Sequence, residues 1–170
     1  MKVVYLLRHA KSSWKDPSQL DSDRPLAPRG RRAARAMADH LRRERIQPSL
    51  IRCSPARRTR ETLELVSGAP PDVAAWVEDE LYGADERELL TRLRKLPGTT
   101  TSVFLIGHNP GLQALTVALA GSGDRNALAR LRTKMPTGAL ATLQAPAARW
   151  RNLRPGGAEL VAFVVPRELG

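Results

Sequence analysis

The sequence predicts an α/β fold of three layers, a three-layer α/β/α sandwich with helices on both faces of a mostly parallel central sheet. Two observations predict it. Short runs rich in Val, Leu and Ile alternate along the chain with longer segments whose apolar residues recur at helical spacing. The pairs Arg8-His9, Ser54-Pro55 and Gly107-His108 each follow directly on one of those runs. That placement suits a parallel sheet, whose ligands gather beyond the carboxyl ends of the strands.

In chain order, Lys2 to Leu7 (KVVYLL) reads as a short buried strand, followed by a polar loop from Ala10 to about Arg29. Gly30 opens a helical segment to about Arg45, with Ala33, Ala36, Met37, His40 and Leu41 near helical spacing. Ser49 to Cys53 (SLIRC) reads as a second strand ended by Ser54-Pro55, and Arg57 to Val66 as a helix. Gly68 to Asp72 is a Pro-rich turn, and Val73 to Val77 is a further strand candidate. Asp85 to Leu96 has helical spacing through Leu89, Leu90 and Leu93 and is stopped by Pro97-Gly98. Thr101 to Ile106 (TSVFLI) is the clearest internal strand, and Pro110 to Ala120 is the helix after it. Two late strands are expected at Ala139 to Leu143 and Leu160 to Val165, separated by a turn at Pro155-Gly156-Gly157. The chain has no internal repeat, linker or low-complexity segment, so its 170 residues are expected to form a single domain, 1–170.

Composition narrows the classes without choosing among them. A hydrophobic share of 42% excludes wholesale disorder, and an aromatic share of 4% leaves the core to Leu, Val, Ala and Ile. Lys and Arg outnumber Asp and Glu by 28 to 17, for a formal charge of +11 and a pI near 11.1. Such a field favours phosphorylated small molecules, phosphoproteins, nucleic acid or acidic membrane alike. The basic residues are scattered rather than gathered in one tail, so compositional drift toward Arg explains them equally well. One cysteine, Cys53, excludes an intrachain disulfide and a thiolate metal cluster; within its apolar run it reads as a buried small residue. Arg8 and His9 interrupt the N-terminal apolar run before a signal-peptide core is reached, and no stretch approaches membrane-spanning length. The expectation is a soluble, cytoplasmic, monomeric protein with no membrane partner.

Three motifs carry chemistry. In YLLRHAKSSW, from Tyr5 to Trp14, a strand ends in Arg8-His9 at the rim of the sheet. Neutral imidazole attacks phosphorus without a base to activate it, and an adjacent guanidinium clamps phosphoryl oxygens while lowering the imidazole pKa. Alone, the pair reads more readily as a surface histidine beside a solvated arginine. In CSPARRTRETLEL, from Cys53 to Leu65, a helix begins near Arg57 and its amino end favours an anion, with Arg58 directed to the same place. For Arg57 and Arg60 a solvated helix face is the better reading. In FLIGHNPGL, from Phe104 to Leu112, His108 is placed as His9 is, one strand over; alone it would be a capping or packing histidine. His40, within a helix and without an adjoining motif, reads as structural or surface. Taken together, two histidines and two arginines converge where phosphoryl transfer needs a nucleophile and cationic cover for the equatorial oxygens. No acidic cluster with metal-ligand spacing, no Walker loop and no phosphatase loop around Cys53 accompanies them, so neither a metal nor another cofactor is expected.

Those residues resemble the histidine phosphatase superfamily, the phosphoglycerate mutase-like family, through Arg8-His9, through Ser54-Pro55 with Arg58 and Thr62, and through Gly107-His108. Within it the chain is similar to the short bacterial SixA-type phosphohistidine phosphatases, on RHAKSSW, on DSDRPLAPRG from Asp21 to Gly30, on GHNPGL and on KMPTGALATL from Lys134 to Leu143. The resemblance spans essentially the whole chain. It implies a metal-free phosphatase in which His9 takes the phosphoryl group and water then hydrolyses the phosphohistidine. Arg8, Arg58 and His108 would bind the phosphoryl oxygens, and Arg24 and Arg29 are substrate-binding candidates for which structural roles serve equally well. Two departures stand out. Arg-His-Ala replaces the more usual Arg-His-Gly, and VEDELYGADE, from Val77 to Glu86, offers no unambiguous proton donor. Glu80 is the first candidate donor there and Asp85 the second; each is equally readable as a solvated carboxylate. A weak or absent acid would suit a phosphoramidate, whose P–N bond is labile. The function expected is hydrolysis of phosphohistidine in a protein. The alternatives are a general phosphomonoesterase on small phosphorylated metabolites and, less favoured, a non-catalytic anion- or nucleic-acid-binding module.

Overall fold

The computed structural model describes residues 1–67 and 73–170; the Pro-rich turn expected at Gly68 to Asp72 lies outside the described residues. Strands β1 (Lys2–Arg8), β2 (Leu50–Cys53), β3 (Ala75–Val77), β4 (Ser102–Gly107), β5 (Ala120–Gly123), β6 (Leu140–Ala145) and β7 (Ala158–Val164) form a seven-stranded sheet in the order β3-β2-β4-β1-β6-β7-β5. Strands β3, β2, β4 and β1 run parallel, as do β5 and β7. Only β6 runs the other way, antiparallel to β1 and to β7. The mostly parallel sheet expected from sequence is what forms.

Five helices cover it: α1 (Pro28–Arg43), α2 (Arg57–Val66), α3 (Glu86–Arg94), α4 (Gly111–Leu119) and α5 (Arg125–Thr133). Alternation along the strands divides the core in two. Val4 and Leu6 of β1 and Val103 and Leu105 of β4 pack with Leu89 and Leu93 of α3, Leu112 and Leu115 of α4, and Leu131 of α5. Leu7, Phe104 and Ile106 face the opposite way, onto Met37 and Leu41 of α1 and Val66 of α2. Each of these fully buried side chains contributes roughly 1.5–3 kcal/mol on leaving water, and together they fix the register. In that register Arg8 lies opposite Gly107, and Cys53 lies opposite Ile106, so the three strand ends that carry motifs reach one edge.

Two elements were not legible in the sequence. β5 is the run Ala120-Gly121-Ser122-Gly123, which carries no strand-forming side chains and is held by pairing to β7. α5 buries only Leu131 fully, with Ala127 and Leu128 packed partly against the same core, so its apolar face is short. Cys53 is fully buried and its thiol is pushed up to about 12 by burial, which makes it an inert core residue.

Candidate active site

β1 emerges from the core at Arg8, and the chain continues straight into His9, whose backbone N–H donates to Gly107 O (3.1 Å). Gly138 N–H reaches back to Arg8 O (3.0 Å) and His9 O (2.9 Å). It does so from φ +77°, beside Pro166, a conformation and a space that suit glycine. On the other side, Gly30 in the first turn of α1 lies flush against the backbone of Lys11; a Cβ there would sit 2.0 Å from the Lys11 carbonyl oxygen. Ala10 N–H donates to Thr62 Oγ1 (3.1 Å), and that hydroxyl donates to Arg58 O (2.7 Å). The segment after the nucleophile candidate is therefore tied to α2.

His9 is buried, and its Nδ1 lies 2.7 Å from Ala10 O. A carbonyl only accepts, so Nδ1 carries the hydrogen and Nε2 keeps its lone pair. Burial lowers the His9 pKa to about 3; the Ala10 carbonyl opposes this, while His108, Arg58 and Arg8 reinforce it. At neutral pH the ring is uncharged and nucleophilic.

His108 follows β4, with its ring centroid 5.2 Å from that of His9. Its Nδ1 faces Arg58 Nη2 at 3.4 Å, a donor only, so Nε2–H points to Ser54 Oγ at 2.7 Å. Burial first, then Arg58, lower its pKa to about 4; Asp21 opposes them, and Arg8 and Arg24 add smaller lowering effects. Tyr82 stands edge-on to the His108 ring, 5.5 Å between centroids.

The arginines bring the positive charge. Arg8 anchors Nη1 on Met135 O (3.1 Å). Arg58, buried in the first turn of α2, donates from Nη1 to Asp21 O (2.7 Å) and from Nη2 to Asp21 Oδ2 (3.0 Å). The Nε–H groups of both are buried without a partner. An unpaired buried donor is costly, and phosphoryl oxygens are strong acceptors for it. Among the described residues no group of three or more His, Cys, Asp or Glu side chains is arranged to hold a metal ion. Two neutral imidazoles under two guanidiniums are equipped to receive a phosphoryl group and to stabilise its charge.

The other candidates separate clearly. Arg24 is buried and joins the site through Asp21, donating from Nε to Oδ1 (3.2 Å) and from Nη1 to Ser12 Oγ (2.6 Å). Arg29 is exposed in the first turn of α1, with no ion pair among the described residues. Arg57 and Arg60 are exposed, pairing with Glu61 and with Pro55 O, as a solvated face requires. The structure does not bring Glu80 to the cluster: its side chain is 62% exposed and pairs with Arg92 at 3.4 Å. The short 3-10 turn Asp79–Leu81 buries Leu81 and leaves the flanking carboxylates to solvent. Asp85 is the N-cap of α3, accepting from Glu88 N–H (2.9 Å). Two residues at the cluster escaped the sequence reading, Asp21 and Tyr82, whose hydroxyl donates to Asp21 Oδ2. Asp21 opens DSDRPLAPRG and Tyr82 sits in VEDELYGADE, both stretches singled out without these residues being chosen.

Comparison with known proteins bears on the family and the fold. The pattern of the histidine phosphatase superfamily (branch 1) matches residues 4–88, which hold the first two motifs. An uncharacterized protein of Mycobacterium leprae is 39% identical over 165 residues, covering 95% of this chain and 100% of the relative. The crystal structure of a proposed phosphohistidine phosphatase SixA from Agrobacterium tumefaciens superposes with a TM-score of 0.83 at 32% identity, over 97% of this chain and 98% of that one. A second such protein, from Nakamurella multipartitia, gives 0.82 at 30% identity, over 97% and 96%.

Proposed function

The chain belongs to the histidine phosphatase superfamily, and from that premise we propose that it hydrolyses phosphohistidine in a protein substrate, without a metal, through a phosphoenzyme on His9. The observation that carries the reading is the tautomer of His9. With Nδ1–H bound by Ala10 O, Nε2 keeps the free lone pair, on a ring 5.2 Å from that of His108 and within the field of Arg8 and Arg58, whose Nε–H groups have no partner. In the first step Nε2 bonds to phosphorus as the P–N bond of the substrate breaks, and the leaving imidazole departs with the proton that its other nitrogen carries. In the second, water attacks the phosphohistidine, releasing inorganic phosphate and returning neutral His9. Arg8, Arg58 and His108 would carry the charge of the transferring group in both steps.

The choice of a phosphoramidate over a phosphomonoester is supported by the carboxylate at the cluster. Asp21 accepts from Arg58, Arg24 and Tyr82. The Tyr82 hydroxyl first, and the arginines with it, hold its pKa down to about 2, so it has no proton to give an alkoxide. Acid-quench trapping with a labelled phosphohistidine protein tests the reading, with the labelled residue mapped by mass spectrometry. Label on His9 Nε2 and retained turnover in EDTA are expected. Label elsewhere, or turnover that is lost in EDTA and restored by a divalent ion, would overturn it. Faster turnover of small sugar phosphates than of the phosphoprotein would favour a general phosphomonoesterase instead.

A further inference from the structure

A cluster that gathers arginines for an anion also holds one carboxylate, and Asp21 lies directly against Arg58. A carboxylate there repels a phosphoryl group, so it lowers anion affinity unless it does something for the guanidinium. Arg58 Nη1 donates to the Asp21 carbonyl (2.7 Å) and Nη2 to its Oδ2 (3.0 Å). Backbone and side chain of one residue thus take the outer end of the guanidinium. The group is planar and rigid, so fixing its end also fixes the direction of Nε–H, which is buried and unpartnered. Asp21 is itself held from two more sides. Arg24 Nε donates to Oδ1 (3.2 Å), and the Tyr82 hydroxyl donates to Oδ2. Arg24 is in turn fixed by Ser12 Oγ (2.6 Å) and by Trp14, a 70% exposed ring stacked 3.6 Å from its guanidinium carbon.

We propose that Asp21 is a positioning residue for phosphoryl binding: it clamps the outer end of Arg58 so that the Nε–H edge is presented to the anion, and Tyr82 and Arg24 hold the clamp. This rests on the phosphatase reading above. A side chain that acts only through its charge would have the opposite effect. Removing a negative charge tightens anion binding by Coulomb's law, whereas removing a clamp loosens it.

The test is calorimetric binding of orthovanadate to the full chain, alongside kcat and KM for an aryl phosphate. Asp21→Ala is expected to weaken vanadate by about tenfold or more, the size of a lost charge-assisted hydrogen bond, and to lower kcat rather than only raise KM. Asp21→Asn keeps an acceptor for Nη2 and is expected to recover part of both. Tyr82→Phe, at a 40% exposed position that tolerates the change, is expected to weaken vanadate about threefold through the loosened clamp. Vanadate binding equal to or tighter than the parent's in Asp21→Ala overturns the proposal. If that variant does not fold, the same result in Tyr82→Phe overturns it. A parent that turns over substrate with an unaffected Asp21→Ala loses only the clamp. A parent that neither binds vanadate nor releases phosphate loses the phosphatase reading and the clamp with it.

Discussion

Two arginine clusters lie on this sheet, and they are wired in opposite ways. Beside β3, Arg52 and Arg92 both pair with Glu78, and Arg92 also reaches Glu80, around a cavity of about 120 Å³ that the exposed Lys95 also lines. At the carboxyl end of β1, beside two histidines held neutral by burial, Arg24 and Arg58 share one carboxylate, Asp21, and Arg8 has no carboxylate partner among the described residues. An unpaired guanidinium N–H does not distinguish them, because Arg52 Nε is buried without a partner just as Arg8 and Arg58 Nε are. The charge ratio does. Where two guanidiniums face two carboxylates, Glu78 and Glu80, most of the field is satisfied within the protein; where three guanidiniums have only Asp21 near them, positive charge is left over for a ligand. The second difference is the proposed nucleophile, since neither histidine of the site has a counterpart beside β3.

Substitutions at matched positions would break the comparison most directly. His9→Ala is expected to lower kcat/KM for an aryl phosphate by on the order of 10⁴-fold or more, because no other group supplies the attacking lone pair. Glu78→Ala, in the balanced cluster, should leave the rate within about twofold. It should instead cost about 1–3 kcal/mol in denaturant unfolding, by leaving Arg52 without its carboxylate. Comparable rate losses in the two variants would mean that charge imbalance does not locate the active site. One step smaller, Arg58→Ala is expected to lose about 10²- to 10³-fold in kcat, while Arg52→Ala keeps the parental rate. Single-turnover measurements would separate that loss from a change in product release.

The neutral histidines also make a pH prediction that the β3 cluster does not. His9 and His108 have folded pKa values lowered to about 3 and about 4, so both stay uncharged until the pH falls through those values. The acid limb of kcat/KM, which reports the free enzyme, should therefore lie well below the ordinary histidine pKa of about 6.5. Stability has the matching sign. Below that ordinary value the unfolded chain binds protons that the folded histidines refuse, so unfolding becomes easier as pH drops from about 6.5. Orthovanadate should counter the loss, since a bound anion favours the charged form of His108. A rate that halves between pH 7 and 6 would show that one of the rings titrates normally and that burial is not what sets the site.

The half of this geometry that was readable in sequence is the half dictated by the sheet. Arg8-His9 and Gly107-His108 terminate runs of buried β-branched and leucine residues, and parallel register alone brings them together. Arg58 was readable because a strand, Ser54-Pro55 and a helix start succeed one another within a few residues. Asp21 and Tyr82 were not, because each sits in or beside a short 3-10 turn with no longer period, and their pairing is fixed only by the tertiary packing that brings the two turns together. The same limit hid β5, which is held by pairing to β7 rather than by a pattern of its own, while the apolar face of α5 was too short to stand out. The exposed side chain of Glu80 shows the converse error: chain position near the third motif suggested a proton donor, but a 3-10 turn directs it to Arg92.

Glu80 gives the smallest and sharpest prediction of the set. A general acid contributes about 10²- to 10⁴-fold toward a poor leaving group, whereas an exposed ion pair with Arg92 contributes at most about 1 kcal/mol to stability and nothing to rate. Glu80→Gln is therefore expected to change turnover of both a phosphoramidate and an alkyl phosphate by less than about twofold. The pair of substrates is what gives the measurement its force. An alkoxide needs a donated proton and an imidazole does not, so a variant slowed only on the alkyl phosphate would place Glu80 at the leaving group during turnover. That outcome would move one carboxylate from the balanced cluster to the unbalanced one. An equal, small effect on both substrates instead leaves Asp21 as the carboxylate of the site, ionised and committed to Arg58, and a leaving group that must bring its own proton.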